Sequence, residues 1–179
     1  MAGPLSGMRV IELAHIMSGP ICGMMLADMG AEVIKVEKTP DGDDSRRFAP
    51  ILPCGESASF MIVNRNKRGI GLNLKTDGGR EVLRKLLVDA DVVTENYRAG
   101  TMEKFGLGYD VLKELNPGLI YCSISGFGRT GPFADKGGFD LIAQGMTGIM
   151  SMTGEEGRPP IKAGSPIADI NAGILAALG

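Results

Sequence analysis

The chain has 179 residues, of which 44% are hydrophobic and 22% charged, a composition typical of one folded domain with a sizeable core. Its formal net charge of -2 and its pI of about 5.5 exclude the broad basic field with which proteins hold nucleic acid or an anionic membrane surface. The first residues do not follow the pattern of a signal peptide, and no apolar run approaches the roughly 20 residues of a membrane span. We therefore expect a cytoplasmic protein with no nucleic-acid partner and no membrane partner.

The first predicted elements form a β-α-β unit. Residues 8–14 (MRVIELA) are typical of a buried strand, residues 19–31 have helical spacing between a proline and a glycine, and residues 32–37 (EVIKVE) form the next strand. A crossover of this kind requires parallel pairing of the two strands, with the helix packed on the sheet.

The same alternation continues beyond the charged loop 38–56. The elements predicted in order are helix 57–64, strand 69–74, helix 76–90, strand 91–96, short helices 101–106 and 109–116, and strand 118–125. Strands that alternate with helices in this way predict a doubly wound, Rossmann-like α/β fold with a parallel sheet.

The last part of the sequence is predicted to be less regular. It contains a glycine-rich loop at 126–138, a helix near 139–150, a polar turn at 153–160 and a final helix. That helix keeps an apolar face up to the last residue, formed by Ile170, Ile174, Leu175 and Leu178, and shows no helix stop signal. We therefore expect residues 1–179 to be the N-terminal α/β domain of a longer protein.

The glycine-rich loop contains GFGRTG at residues 126–131, which matches the G-x-G-x-x-G pattern of dinucleotide-binding folds. Such a site needs a helix that begins at the third glycine, so that the helix amides meet the pyrophosphate. Here Pro132 and FADKGG follow, and the acidic residue expected after the next strand is missing. The segment is interpreted as a flexible loop in preference to an NAD or FAD site.

Basic residues follow several predicted strands. They are Lys38, Arg46, Arg47, the stretch NRNKR at 64–68, Lys75 and Arg98. Because ligands of open parallel sheets bind outside the carboxyl ends of the strands, such a group of cations suits a multiply phosphorylated ligand. The alternative is that these are ordinary solvated loop charges.

The three cysteines, Cys22, Cys54 and Cys122, are odd in number and lack the close spacing of a metal or redox pair. We expect reduced thiols, no disulfide and no metal site. His15 is the only histidine, and it follows a strand, where either proton transfer or a structural role is possible.

Asp169 stands at the start of the apolar final helix. The simplest interpretation is a helix N-cap, which stabilises by about 1 kcal/mol. The functional interpretation uses the same position, because free amides and the helix dipole would keep a nucleophilic carboxylate ionised. The small neighbours Ala168, Ala172 and Gly173 would let a bulky acyl group approach it.

Six ordered stretches together resemble the family III CoA-transferases of the CaiB/BaiF type, which include formyl-CoA transferase and the α-methylacyl-CoA racemases. The stretches are PLSGMRVIELAHIMSGP, LADMGAEVIKVE, NRNKRGIGLNLKTDGG, ADVVTENYRAGTMEKFGLGYDVLKELNPGLIYCSISGFGRTGP, GGFDLIAQGMTGIMSMTG and ADINAGILAAL. The resemblance covers nearly the whole chain. It implies a doubly wound domain followed by a linker and a smaller domain, in an interlocked homodimer.

The resemblance also implies the chemistry. Asp169 matches the family nucleophile, with coenzyme A and acyl-CoA as substrates, a carboxylic acid as acceptor, and no tightly bound cofactor. The residues that match the family's CoA contacts are His15, Ile16, Met17, Lys38, Leu72, Lys75, Asn96, Tyr97, Arg98 and Lys104. Two departures are that formyl-CoA transferases have glutamine at the position of Met17, and that Lys38 and Lys104 replace arginines of some relatives.

Two alternatives to a CoA-transferase are considered. A racemase of the same family needs a second base, a histidine at the position of Phe139, and phenylalanine carries no proton. The other alternative is a CoA-binding module without turnover, and we expect residues 1–179 expressed alone to be inactive.

Overall fold

The computed structural model describes residues 3–179, which form a five-stranded parallel sheet covered by helices. The strands are β1 (Arg9–Glu12), β2 (Glu32–Lys38), β3 (Lys67–Leu72), β4 (Val92–Glu95) and β5 (Ile120–Ser123). Their order across the sheet is β3-β2-β1-β4-β5, and every neighbouring pair is parallel.

The helices are α1 (Ser18–Asp28), α2 (Ala58–Asn64), α3 (Asp77–Val88), α4 (Thr101–Lys104), α5 (Tyr109–Leu115), α6 (Asp140–Met146) and α7 (Ile167–Leu178). Two 3-10 turns occupy Asp44–Arg47 and Met150–Met152. The predicted doubly wound α/β fold is confirmed, and each predicted strand and helix is present, with ends that differ by up to about four residues.

The helices lie on both faces of the sheet because the strands are apolar on both faces. On one face, Ile11 and Val93 pack with Leu83 and Leu87 of α3 and with Leu112 of α5. On the other face, Val10, Val33 and Val92 pack with α1, and Ala176 and Ala177 of α7 contact the same cluster. Strands buried on both sides are the expected composition of a parallel sheet.

The chain changes its winding direction between β1 and β4. It passes from β1 outward through β2 to β3, and then returns across the sheet to β4 on the other side of β1. Ligands of doubly wound sheets bind at this switch point, outside the carboxyl ends of the strands. The turns after β1 and β4 are therefore the expected place for a site.

One group of predicted ligand-binding cations lies elsewhere. The stretch 64–68 leads into β3, so it stands at the amino end of that strand, away from the switch point. Its charges are used locally, since Arg65 pairs with Asp28 and Arg68 with Glu32. The expected position of this stretch after a strand is wrong, because it follows α2 and leads into β3, and its paired charges fit the alternative of ordinary loop charges. None of the described helices has the length and apolarity to cross a membrane.

Candidate active site

Two adjoining cavities open at the carboxyl ends of the strands. The first has a volume of about 500 Å³ and lies between the ends of β1, β2 and β3, and the second, of about 510 Å³, lies between the ends of β1, β4 and α7. His15, Tyr97 and Thr101 line both. A ligand with two ends could therefore occupy both cavities around these shared residues.

The turn after β1 is clamped by the turn after β4. The side-chain oxygen of Asn96 accepts a hydrogen bond from the His15 amide at 2.9 Å, and its side-chain nitrogen donates to the His15 carbonyl at 2.8 Å. These two residues are 81 positions apart in sequence. The switch point of the sheet is thus fixed by a side chain that bonds both backbone polar groups of one residue.

Ile16 is held in the left-handed region of backbone space, with φ of 67°. This conformation is costly for a β-branched residue, so the surroundings must impose it. The carboxylate of Asp43 accepts a hydrogen bond from the Ile16 amide, with distances of 3.1 and 3.2 Å to its two oxygens. Asp43 therefore shapes the turn that joins the two cavities.

Beneath this turn lies a buried ion cluster formed by Glu12, Lys35, Asp43 and Lys67. Lys35 Nζ lies 2.9 Å from each of three acceptors: a Glu12 oxygen, an Asp43 oxygen and the Ala14 carbonyl. An ammonium has three protons to donate, so this set satisfies it. Lys67 Nζ contacts the other Glu12 oxygen at 2.8 Å.

Asp43 stays ionised in this cluster although its side chain is buried. Burial alone would raise the pKa of Asp43, but Lys35 and hydrogen bonds from Ser45 outweigh it and bring the pKa to about 2. Burial also lowers the pKa of Lys67 to about 8, against the opposing effect of Glu12. At neutral pH the Asp43 carboxylate is therefore ionised and can hold the Ile16 amide.

The aromatic side chains between the cavities are uncharged at neutral pH. Burial lowers the pKa of His15, although Asp43 and Asp44 act in the opposite direction. Burial together with the charge of Glu95 raises the pKa of Tyr97 to about 12. The two rings pack against each other with centroids 5.6 Å apart, which gives the junction of the cavities a neutral surface.

The first cavity carries basic groups at its rim. Lys38 and Lys75 line it, with Leu72 and Leu74 as apolar lining. Lys38 Nζ pairs with Asp44 at 2.7 Å, whereas Lys75 makes no salt bridge within residues 3–179. Two other predicted phosphate ligands are committed to acids nearby, since Arg46 forms two hydrogen bonds of 2.7 Å with Glu37 and Arg47 pairs with Asp44.

Asp169 lines the second cavity together with Ala168 and Ala172. It is the third residue of α7, while Pro166 occupies the N-cap position, so the prediction that Asp169 is the N-cap is wrong. The helix begins three residues earlier than an Asp169 N-cap would require, because Ile167, Ala168 and Asp169 already belong to its first turn. Burial and the nearby charge of Asp140 raise the pKa of Asp169, which is opposite to the shift expected from the helix dipole.

The amides at the start of α7 are bonded by a carboxylate from α6. Asp140 accepts a hydrogen bond from the Ala168 amide at 2.8 Å, and the Asp169 amide lies 3.4 Å from the same oxygen. The other Asp140 oxygen accepts from the side chain of Gln144 at 2.6 Å. Asp140 is thus the actual cap of α7, delivered from a different helix.

The glycine-rich loop is anchored to the sheet by Arg129. The Arg129 guanidinium bonds Glu95 at 2.6 Å and the Ser123 hydroxyl at 2.7 Å. The ends of the loop touch, because a Cβ built on Gly126 would lie 2.3 Å from the Cα of Gly138. Turns and bends follow Gly131, and the next helix begins at Asp140, which agrees with a loop and not with a dinucleotide motif.

The structure brings most of the predicted site residues to the two cavities. Those that line the first, the second or both are His15, Ile16, Met17, Lys38, Leu72, Lys75, Asn96, Tyr97, Arg98 and Asp169. Lys104 lies exposed on α4 and lines neither. The sequence analysis did not predict that Asp43 binds the Ile16 amide, that Arg129 anchors the glycine-rich loop or that Asp140 caps α7. Of these three residues, only Asp43 could have been suspected from the sequence, because it follows the end of a predicted strand.

Phe139 stands at the position where the racemase alternative needs a histidine. Its side chain is 63% exposed and lines the second cavity. The three cysteines are free thiols. Within residues 3–179, no group of three or more His, Cys, Asp or Glu side chains is arranged to hold a metal ion.

Comparison with known proteins agrees with this geometry. The family model for CoA-transferase family III matches residues 5–179. The succinate–glutarate CoA-transferase of Agrobacterium fabrum is 52% identical over 179 residues, which cover 96% of this chain and 44% of the relative. The succinyl-CoA:mesaconate CoA-transferase of Haloarcula marismortui is 48% identical over 185 residues, which cover 99% of this chain and 46% of the relative.

A solved structure shows the same fold. The crystal structure of a CAIB/BAIF family protein from Brucella suis superposes with a TM-score of 0.95 at 47% identity, covering 99% of this chain and 48% of that one. The chain thus spans less than half the length of these relatives. On the family match and on these identities, the chain belongs to the family III CoA-transferases.

Proposed function

We propose that the protein transfers CoA from an acyl-CoA to a carboxylic acid, with Asp169 as the covalent nucleophile. The observation that carries the proposal is the position of Asp169. Its side chain lines the second cavity, which meets the first cavity at His15 and Tyr97, beside the small residues Ala168 and Ala172.

The first cavity is assigned to the nucleotide end of CoA. Lys38 and Lys75 stand at its rim, and a phosphorylated ligand would compete with Asp44 for Lys38. Arg98 and Lys136 line the second cavity and make no salt bridge within the described part of the chain. Cations without an acidic partner favour an anionic ligand that runs from one cavity into the other.

The first half of the reaction moves the acyl group to the protein. A carboxylate oxygen of Asp169 attacks the thioester carbonyl carbon, the carbon–sulfur bond breaks, and CoA leaves as its thiolate, giving an aspartyl-acyl anhydride. The thiolate then attacks the aspartyl carbonyl, which forms an aspartyl-CoA thioester and releases the donor as a carboxylate. Covalent catalysis divides one difficult exchange into easier steps.

The second half reverses these steps with the acceptor acid. The acceptor carboxylate attacks the aspartyl thioester and expels the CoA thiolate, which then attacks the acceptor acyl carbon and regenerates the Asp169 carboxylate. No proton is gained or lost overall. We assign stabilisation of the oxyanions to amides of the glycine-rich loop, an assignment supported by Gly137 and Gly138, which line the second cavity.

A C4 dicarboxylate is the first donor acid to test. Both curated relatives named above have succinate or succinyl-CoA in their names. A free carboxylate at the far end of a succinyl group would favour the basic side of the second cavity, where Arg98 and Lys136 lie. We further propose that the active protein is a homodimer, which the apolar side chains exposed on α6 and α7 support.

The test is a trapping experiment on the complete protein. Incubation with succinyl-CoA, without an acceptor, followed by mass spectrometry should show a CoA-sized adduct on the peptide that contains Asp169. Asp169→Ala should show no adduct and should lose transfer to glutarate by about 10³-fold or more. Transfer at the wild-type rate by Asp169→Ala would disprove the nucleophile assignment.

A second experiment, with a chiral acyl-CoA in deuterated solvent and no acceptor acid, separates the alternatives. A racemase would exchange the α-proton of a chiral acyl-CoA for solvent deuterium without any acceptor acid, and a binding module would bind CoA without transfer. The exposed phenyl ring of Phe139 offers no second base on that side of the cavity. We therefore expect no deuterium exchange.

A further inference from the structure

The start of α7 has no cap of its own. The residue at the N-cap position is Pro166. Its side chain has no hydrogen-bond acceptor, so it does not cap the amides of the first turn. An α-helix leaves its first four amides without helical partners. Asp140 of α6, which lies 28 positions before Ala168, accepts a hydrogen bond from the Ala168 amide at 2.8 Å. The Asp169 amide lies 3.4 Å from the same carboxylate oxygen.

Asp140 is itself fixed by Gln144, whose side chain has no solvent exposure. Gln144 donates to the second Asp140 oxygen at 2.6 Å and accepts from the Ala163 amide at 2.8 Å. One buried amide group thus ties α6 both to the Asp140 carboxylate and to the segment that leads into α7. A fully bonded buried polar group of this kind orients its partners.

The arrangement leaves the carboxylate of Asp169 free. Among residues 3–179, no side chain or backbone group donates a hydrogen bond to its side-chain oxygens, and its own amide faces Asp140. The amides that would otherwise stabilise the Asp169 charge are already used. Burial and the Asp140 charge raise the pKa of Asp169, and a more basic carboxylate is a stronger nucleophile.

We propose that Asp140, oriented by Gln144, is the positioning residue for Asp169: it occupies the first-turn amides of α7, fixes the helix start at the cavity, and leaves the Asp169 oxygens free to attack the acyl carbon. The inference rests on the proposed function of Asp169 as nucleophile. Asp140 does not react with the substrate. It acts on Asp169 through its hydrogen bonds to the backbone amides of α7 and through the negative charge of its carboxylate.

The test compares variants of the complete protein by the rate of adduct formation on Asp169 in a single turnover and by the pH profile of kcat. Asp140→Asn should lower kcat about tenfold or more, with KM for acyl-CoA changed by less than about threefold, because binding lies in other residues. The acid limb of kcat should move to lower pH, because the loss of the Asp140 charge lowers the pKa of Asp169.

Gln144→Met separates orientation from charge. This variant keeps the Asp140 carboxylate but removes both hydrogen bonds of Gln144, so kcat should fall while the acid limb stays in place. Asp110→Asn is the matched control, since Asp110 is an exposed acid in the first turn of α5, outside both cavities. It should leave kcat and its pH profile unchanged.

The outcomes are distinguishable from failure of the proposed function. If Asp169→Ala retains transfer, the nucleophile assignment fails and this inference fails with it. If Asp169→Ala is inactive but Asp140→Asn keeps the wild-type kcat and pH profile, only the positioning role is overturned. A lower melting temperature for Asp140→Asn with an unchanged pH profile would show a purely structural cap. Should Asp140→Asn not fold, an unchanged kcat in Gln144→Met overturns the proposal.

Discussion

The sheet region, residues 3–125, and the C-terminal region, residues 126–179, are stabilised in different ways. The sheet region has two apolar clusters with side chains that are almost fully buried, and it also contains the buried ion cluster. Among the described residues of the C-terminal region, only Gln144 and Gly173 are buried. Large apolar side chains such as Met152, 80% exposed, and Leu178, 71% exposed, lie at the surface there.

The difference shows how the site is divided. The surfaces assigned to CoA rest mostly on side chains of the sheet region, whereas the proposed nucleophile Asp169 stands on a helix that packs there through Ala176, Ala177 and one close backbone approach. That approach is Gly173, where a Cβ would lie 2.4 Å from the Ser18 carbonyl oxygen and 2.8 Å from the Ile21 side chain. The binding half of the site is therefore expected to be more robust to mutation than the chemical half.

The largest expected effect comes from the buried ion cluster. Lys35→Met keeps the side-chain volume but leaves the Asp43 carboxylate without its charged partner, so the free energy of unfolding should fall by about 3–5 kcal/mol. Urea unfolding followed by circular dichroism measures it.

Lys85→Met is the matched control for that change. Lys85 forms an exposed pair with Glu81 on α3, so its replacement should change stability by less than about 0.5 kcal/mol. A loss of less than about 1 kcal/mol for Lys35→Met would mean that the cluster is not needed for the stability of the sheet region.

A second change tests the junction between the regions. Gly173→Ala should cost about 1–3 kcal/mol, because the added methyl group meets the backbone of α1, and the displaced α7 should lower transfer by about 10²-fold through misplacement of Asp169. Thermal unfolding and kcat measure the two effects.

Ala172→Gly is the stability control for Gly173→Ala, since it removes a methyl group from the preceding position and gives helix flexibility without a clash. It should cost about 1 kcal/mol and leave α7 seated on α1. Equal transfer by wild type and Gly173→Ala would show that the position of Asp169 does not depend on this contact.

The smallest expected effect is a loss of folding stability at low pH, caused by the protonation of Asp43. The pKa of Asp43 is lowered from 3.8 to about 2 in the folded protein. A carboxyl group with a lowered pKa adds stability above its unfolded pKa, and this contribution is lost as the pH falls through the folded value. Asp43 should therefore contribute about 2 kcal/mol that disappears between pH 4 and pH 2.

Urea unfolding across this pH range measures the contribution. The loss between pH 4 and pH 2 should be smaller in Asp43→Asn, which has no charge to titrate. Asp41→Asn changes an exposed carboxylate of the same segment and should keep the wild-type dependence. Identical slopes for Asp43→Asn and wild type would contradict the assigned charge state.

The fold and most of the cavity residues were predictable because they depend on local patterns. Alternating strands and helices predict the parallel sheet, and the turns after its strands predict that His15, Lys38 and Asn96 lie at its carboxyl edge, where they line the two cavities. Asp43 and Asp140 were not predicted as site residues, because each acts on a backbone amide 27 or 28 positions away, and no side-chain pattern reports such a bond.

The assignment of Asp169 as an N-cap failed for a related reason. A single sequence shows an acid near the start of an apolar helix, but it does not show that Asp140 supplies the cap from another helix. The helix could then begin at Ile167, with Asp169 as the third residue of its first turn. A tertiary hydrogen bond replaced the local signal that capping rules use.

The contact between Gly126 and Gly138 has a consequence for how enzymes with this fold could diversify. Because the backbones of Gly126 and Gly138 are in contact, the residues between them form a loop whose two ends stay together whatever the length of the loop. The entropy cost of closing a loop grows slowly, by about 0.6 kcal/mol for each doubling of its length. Insertions at the tip of the loop would therefore change the shape of the second cavity while the sheet beneath remains as it is.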